Sequence, residues 1–300
     1  MPRELRAIIP GVRAALLAMT LAAGVLPSCD GTEPADTPAT STDAPPSERT
    51  TGEATTPEPR PSAPPERSTE PEPEPPKKDV LELAFVGDVV LGEYVFDDHR
   101  SFAGPRSPSL DPFTSVAAQL RADLLVGNLE SPVMEQVPER SPLRFGRRFG
   151  GSAPAVDALA RAGFHAMSVA NNHANDLGRD GLEQTPGLLR ARGIAPVGAA
   201  RAEGSPFVVE TLVRGGWRVA LLSATTWLNH EPTPGDPAVP VMRARDMPEV
   251  LVPLVAQARD DHDLVVVLLH WGRERRDEPG FVQIQIAHAL VEAGADLVVG

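Results

Sequence analysis

Cysteine is almost missing from this chain of 300 residues: Cys29 is the only one. A lone thiol excludes an intrachain disulfide framework, so an exported domain of this sequence must be stable through its core. Long apolar runs are missing too. The one candidate, Ala14 to Leu26, is too short to span a bilayer comfortably. Positive charge is in short supply: 28 Lys and Arg face 41 Asp and Glu, a formal net of −13 with no basic cluster. That balance argues against a nucleic-acid partner. No Walker-type loop and no Gly-x-Ser-x-Gly elbow occurs, so P-loop and serine-hydrolase chemistry lack their signatures.

What is present divides the chain in three. Arg3, Arg6 and Arg13 precede the short apolar run, which ends in Leu26-Pro27-Ser28-Cys29. A basic start, a short apolar centre and a small residue before the cut describe an export signal over 1–28. Leu26 and Ser28 are similar to a bacterial lipobox, which makes Cys29 the expected lipidated residue; Pro27 is an unusual occupant. The alternative is a plain secretory signal with an incidental cysteine. Residues 29–78 form the second part. Between Asp30 and Lys78, thirteen of 49 residues are Pro, and there is no aromatic. Such a segment cannot bury enough apolar surface to offset its ordering entropy, and is expected to be a disordered tether. Residues 79–300 are domain material, long enough for one substantial core.

Within that domain, strand and helix patterns alternate. Strands are expected at Leu81–Val86, Asp123–Val126, Phe164–Ala170, Leu264–Leu269 and Asp296–Val299. Helices are expected at Pro112–Ala122, Pro154–Ala162, Arg179–Arg192, Met247–Arg259 and Phe281–Ala293. Phe207–Val213 and Trp217–Ser223 flank Arg214-Gly215-Gly216 and read as a hairpin. Several strands are apolar throughout, as in a sheet buried on both faces. The expectation is a layered α/β domain with a largely parallel sheet. Gly300 falls inside a strand–turn junction, which reads as a C-terminal truncation.

Chemistry-bearing residues gather where strands end. The richest stretch runs from Val169 to Gly178, with three amides, an imidazole and a carboxylate between Asn171 and Asp176. Asp88 follows the first strand, Glu130 the second, Asn172, His173 and Asp176 the third, and His270 with Glu274 the fourth. In a single parallel sheet these four ends share one edge, where α/β sheets hold ligands. Carboxylate, imidazole and amide oxygen match the ligand set of Mn, Fe or Zn, and two such ions could clamp an oxyanion and activate water. Each residue has a plainer reading: Gly87-Asp88 as a turn, Glu130 as a solvated acid, His270 as a core histidine, Asp176 as a helix cap. His165, His230, His262 and His288 have no such setting and read as structural.

The segments GDVVLG (87–92), GNLESPV (127–133), VANNHANDLGRDGL (169–182), VGAA (197–200), LLHWGRERRDEP (268–279) and AGADLVVG (293–300) resemble the capsule synthesis protein CapA family. That family is the poly-γ-glutamate-associated branch of the calcineurin-like metallophosphatases. The resemblance implies a metallophosphatase-like α/β sandwich. It implies metal ligation by Asp88, Glu130, Asn172, His173 and His270; Asp176 and Glu274 are expected, from the residues themselves, to orient those ligands. Two departures stand out. The Asp-x-His of the superfamily is Asp88-Val89-Val90 here, and the closing Gly-His-x-Pro-His pair does not occur.

Three functions follow as expectations. The first is a lipid-anchored protein on the outer face of the cell membrane, acting in synthesis, export or anchoring of poly-γ-glutamate or a similar anionic envelope polymer. It would work through a hydrolase-like site with one or two divalent ions. The second keeps the fold without the chemistry: a polymer-binding assembly factor of a membrane polymer synthase. The third is a generic exported metallophosphoesterase.

Overall fold

A computed structural model describes residues 76–95, 98–101, 112–142 and 146–300, together with the backbone of 6–9 and 12–17. Residues 21–73 lie outside the described residues, and with them Cys29 and nearly all of the expected tether.

Two sheets carry the fold. The first orders β1 (Arg6–Ile9), β2 (Val12–Leu17), β3 (Leu81–Val89), β6 (Leu124–Leu129), β10 (Ala166–Ser168) and β11 (Ala195–Val197), all parallel from β2 onward. The second orders β12 (Glu210–Arg214), β13 (Trp217–Thr225), β14 (Leu264–His270) and β15 (Leu297–Val299). Small pairings lie outside them. One is an antiparallel set of β4 (Gly92–Val95), β5 (Asp98–Ser101) and β8 (Arg148–Phe149). The other pairs β7 (Val133–Met134) with β9 (Gly151–Ser152). The expected hairpin is β12–β13, closed at Gly215-Gly216, both with positive φ.

The apolar runs have a simple explanation: each strand feeds two cores. In β14, Leu264, Val266 and Leu268 enter the layer between the sheets, while Val265, Val267 and Leu269 face the outer helices. The strands β3, β6 and β13 divide the same way. Leu83, Val126 and Leu221 point inward; Ala84, Leu125 and Leu222 point outward. This is the period-two geometry of a strand covered on both faces. Helices α1 (Ala153–Ala162) and α2 (Gly178–Arg190) cover the first sheet. Helices α3 (Met247–Asp261) and α4 (Phe281–Glu292) cover the second. The result is a four-layer helix–sheet–sheet–helix sandwich. Truncating a fully buried leucine such as Leu124 to Ala should cost about 2–5 kcal/mol. Among the described residues no helix is long and apolar enough to cross a membrane.

One expectation fails, and the sheet arrangement is made specific. The stretch from 112 to 120 is a succession of turns, not an α-helix. Its amides bond mostly three residues back, as Val116 to Phe113 and Gln119 to Val116. Thr114 and Val116 are β-branched and poor at sustaining a helix, and Phe113 is held edge-on against Phe164 at 5.5 Å. The strands belong to two stacked sheets, the layered sandwich that the resemblance implies, because a run buried on both faces can sit between sheet and helix as well as between helices.

Candidate functional site

The four strand ends still meet, but across the sandwich. Those of β3, β6 and β10 come from one sheet, and that of β14 comes from the other. Ser168 and Ser223 share a buried 2.7 Å hydrogen bond between the sheets, tying them together beneath the site. A cavity lined in part by Asp88, Asn128, Ser168 and His270 opens above it.

A bulge aims Asp88. Phe85 pairs with Val126, but Asp88 pairs with Asn128, so β3 spends one residue more than β6 over that interval. The extra residue shifts Asp88 from the register of Leu129 to that of Asn128, which is how bulges re-aim side chains at sites. Asn128 then donates from Nδ2 to Asp88 Oδ1 at 2.8 Å, and the same amide lies 3.3 Å from His270 Nδ1. Asn171 continues the chain. It donates to Asn128 Oδ1 at 3.1 Å and to the Leu129 carbonyl at 2.8 Å, while its own oxygen accepts the His173 amide at 3.1 Å. Two side-chain amides thus lock four strand ends to one another.

His173 is buried and fixed from three sides. Its Nδ1 lies 2.6 Å from Asp176 Oδ2, an oxygen that also accepts the Phe149 amide at 2.7 Å. A carboxylate can only accept here, so Nδ1 is the donor to it, and in the neutral ring Nε2 carries the lone pair. The Phe149 ring lies 4.2 Å from the imidazole, centroid to centroid. Asn229 reaches the ring from the other sheet, 3.3 Å from Nε2, while its backbone amide donates to the Asn172 carbonyl. Asp176 does not cap α2: Leu177 holds the N-cap position, with no side-chain cap bond.

Glu130 and His270 face each other, Oε1 to Nε2 at 3.9 Å, with side chains 14% and 27% exposed. Burial, then the Asp88 charge, push the Glu130 carboxyl up to about 7; His173 opposes this, while Asp176 and Glu274 add to it. Burial holds His270 below the usual imidazole range, helped by His173 and opposed by Asp88. Asp88, Glu130, His173 and His270 therefore lie within each other's fields. Glu274 sits apart, in the exposed loop after β14, and acts on Glu130 only through its charge.

Divalent-ion ligation can be tested on these atoms. Asn172 Oδ1 is buried and has no hydrogen-bond partner, which a cation would supply. Glu130, raised in part by neighbouring acids, is the electrostatics of a cluster short of positive charge. Against that, among the described residues no three His, Cys, Asp or Glu side chains stand close enough to enclose an ion. The donors fit in kind, and the amide oxygens would have to complete the set.

Sequence reasoning passed over Asn128, Asn171, Phe149 and Asn229 as site residues. The first two lay inside the strand-end segments, within three residues of Glu130 and His173. Phe149 and Asn229 carried no local signal, since one arrives on the short strand β8 and the other on the loop after β13. Of the five other histidines, three have partners elsewhere: His99 Nε2 lies 2.8 Å from the Gly150 carbonyl. His165 Nδ1 accepts the Leu125 amide at 3.0 Å, and His262 bonds the Ala258 carbonyl.

With this geometry in place, the comparisons with known proteins are informative. The profile of the bacterial capsule synthesis protein PGA_cap matches residues 82–300. The chain belongs to that family. The PGA biosynthesis protein CapA of Bacillus subtilis (strain 168) is 30% identical over 234 residues, 74% of this chain and 57% of that protein. The capsule biosynthesis protein CapA of Bacillus anthracis is 29% identical over 233 residues, 73% of this chain and 53% of that one. A "Probable polyglutamine synthesis accessory protein" of Mycobacterium tuberculosis is 28% identical over 197 residues, covering 62% of this chain and 51% of that protein. The chain spans little more than half the length of these relatives. Members of the family have a metallophosphatase-like fold, in keeping with the layered sandwich.

Proposed function

We propose that this protein acts in the synthesis, export or anchoring of poly-γ-glutamate or a similar anionic capsule polymer, through a divalent-metal, hydrolase-like site at the joined strand ends. The observation that carries the reading is the amide-locked convergence of Asp88, Asn128, Asn171 and His270, with Glu130 and His173 in the same field. In that site Asp88, Glu130, Asn172, His173 and His270 would hold one or two ions of Mn, Fe or Zn. A bound ion would polarise a substrate oxygen and supply a water nucleophile near neutral pH. The chain's own residues do the rest. Asp176 keeps the His173 proton on Nδ1, so that Nε2 can donate its lone pair. Asn128 holds Asp88 and His270 in register, and Asn171 fixes the turn that delivers His173.

Position at the outer face of the cell membrane, through lipidated Cys29 and the Pro-rich tether, belongs to the same reading. It would let the domain reach a polymer emerging from a membrane synthase. Elemental analysis of purified protein, with polymer output in a strain carrying His173→Ala, tests the proposal. Stoichiometric metal and lost output are expected; absence of metal with normal output would sink it.

A second reading has one observation in its favour, the lack of a tight acid–imidazole group among the described residues. On it the domain is a polymer-binding assembly factor of the synthase. Asp88→Asn and His173→Ala would then leave capsule formation intact, whereas removing Cys29 would not.

A further inference from the structure

Large apolar side chains seldom stand in water beside a polar site, yet Trp227 is 67% exposed. Its surroundings are tightly held. Thr225, on one side, is fully buried, and Leu228, on the other, packs with Ala174, Leu182 and Val239. The Trp227 amide donates to Thr225 Oγ1 at 3.3 Å, and that hydroxyl donates to the His270 carbonyl at 3.0 Å. The Thr226 amide also bonds the His270 carbonyl, and the Asn229 amide bonds the Asn172 carbonyl at 2.8 Å. The indole is thus carried on a short rigid bridge between the two strand ends that supply His270 and Asn172–His173. Nothing among the described residues takes its Nε1–H.

A flat apolar face on fixed backbone, with a free N–H at its edge, loses little conformational freedom when a ligand covers it. Charge alone would not pick out a ligand at this rim. The loop after His270 exposes Arg273, Arg275 and Arg276, but also Glu274, Asp277 and Glu278, so its charges balance. Discrimination must then come from shape and apolar contact.

We propose that Trp227 is a specificity-determining residue: a platform on which the methylene–amide backbone of a γ-linked glutamate polymer lies as it passes the site. This rests on the functional reading above. A γ-linkage places two methylenes and a planar amide in the main chain of each unit and leaves the carboxylate as the branch. The apolar stretch can therefore face the indole while the carboxylates face solvent. An α-linked polyglutamate has its methylenes in the side chains, beneath the charge, and offers no such strip.

The test measures binding of poly-γ-glutamate and α-linked polyglutamate of equal length to the full chain by calorimetry, at fixed ionic strength. Wild type, Trp227→Ala, Trp227→Phe and Phe281→Ala are compared. Phe281 lies on α4 and is equally exposed, so it controls for general loss of apolar surface. Trp227→Ala should weaken binding of the γ-linked polymer about three- to tenfold. Trp227→Phe should keep most of it, Phe281→Ala should change nothing, and preference over the α-linked polymer should shrink in Trp227→Ala. Equal binding by wild type and Trp227→Ala, with matching circular dichroism and melting, overturns the platform while leaving the functional reading in place. Wild type that binds neither polymer, or both alike, overturns the platform along with its premise.

Discussion

Asp176→Asn is the sharpest probe of how the site is held. Asp176 is fully buried, and one oxygen, Oδ2, accepts both the Phe149 amide and His173 Nδ1–H, while Oδ1 has no partner. Asparagine keeps the shape but has one oxygen. If that oxygen replaces Oδ2, both bonds survive without charge assistance, at roughly half their strength. The NH2 then lies buried where Oδ1 was, an unmet donor worth about 1–3 kcal/mol. If the amide turns over, NH2 meets two donors and both bonds are lost. Removing a buried charge works in the opposite direction. The bonds should win, for a net loss of about 2–3 kcal/mol. A domain of this size then melts roughly 5–10 °C lower. Urea unfolding gives the free energy, and nitrogen-edited NMR of His173 gives the tautomer, fixed on Nδ1 in wild type and mixed in the variant. An equally stable or more stable Asp176→Asn, with the proton still on Nδ1, would refute the reasoning.

Other outcomes follow from the same geometry. In chelator-treated protein, Glu130→Gln should stabilise above pH 7 by about 2–3 kcal/mol, because a carboxyl raised to about 7 binds its proton more tightly folded than unfolded. The wild type should lose that stability as pH rises from about 4.5 to 7, so identical pH–stability curves for the two proteins would contradict the shift. His270 is depressed by burial, so its contribution runs the other way: stability falls as pH drops below the ordinary imidazole range, a slope that His270→Gln should remove. Asn171→Ala leaves the His173 amide and Asn128 Oδ1 without partners, at a cost of about 2–4 kcal/mol by urea unfolding. Gly198 has φ +73°, and a Cβ there would stand 2.8 Å from Ala170 Cβ, between the sheets; Gly198→Ala should lose about 2–4 kcal/mol.

Much of the fold could be read without coordinates, and for local reasons. The run Leu264–Leu269 is a strand because its short apolar length and β-branched residues suit nothing else, and Gly215-Gly216 turns the hairpin because both need positive φ. The helix Ala153–Ala162 stops at Gly163 in the left-handed region, as its sequence suggests. Strand ends also flagged Asp88, Glu130, Asn172, His173 and His270 as a set, since poor strand formers clustered there. Glu274 follows β14 on an exposed loop and reaches that set through its charge on Glu130.

Tertiary structure alone decided the remainder. Alternation inside β14 makes both of its faces apolar, and that pattern does not say whether a helix or a second sheet covers them; packing put a sheet on one side, so the site forms across two sheets. The bulge before Asp88 depends on pairing with β6, and no residue announces it. Asn229 reaches His173 over 56 positions of sequence, and Phe149 over 24, from segments whose paths are set by what they pack against. Local propensity chose the strands, turns and ligand types of this protein; long-range contacts, which no neighbouring residues encode, chose which of them meet.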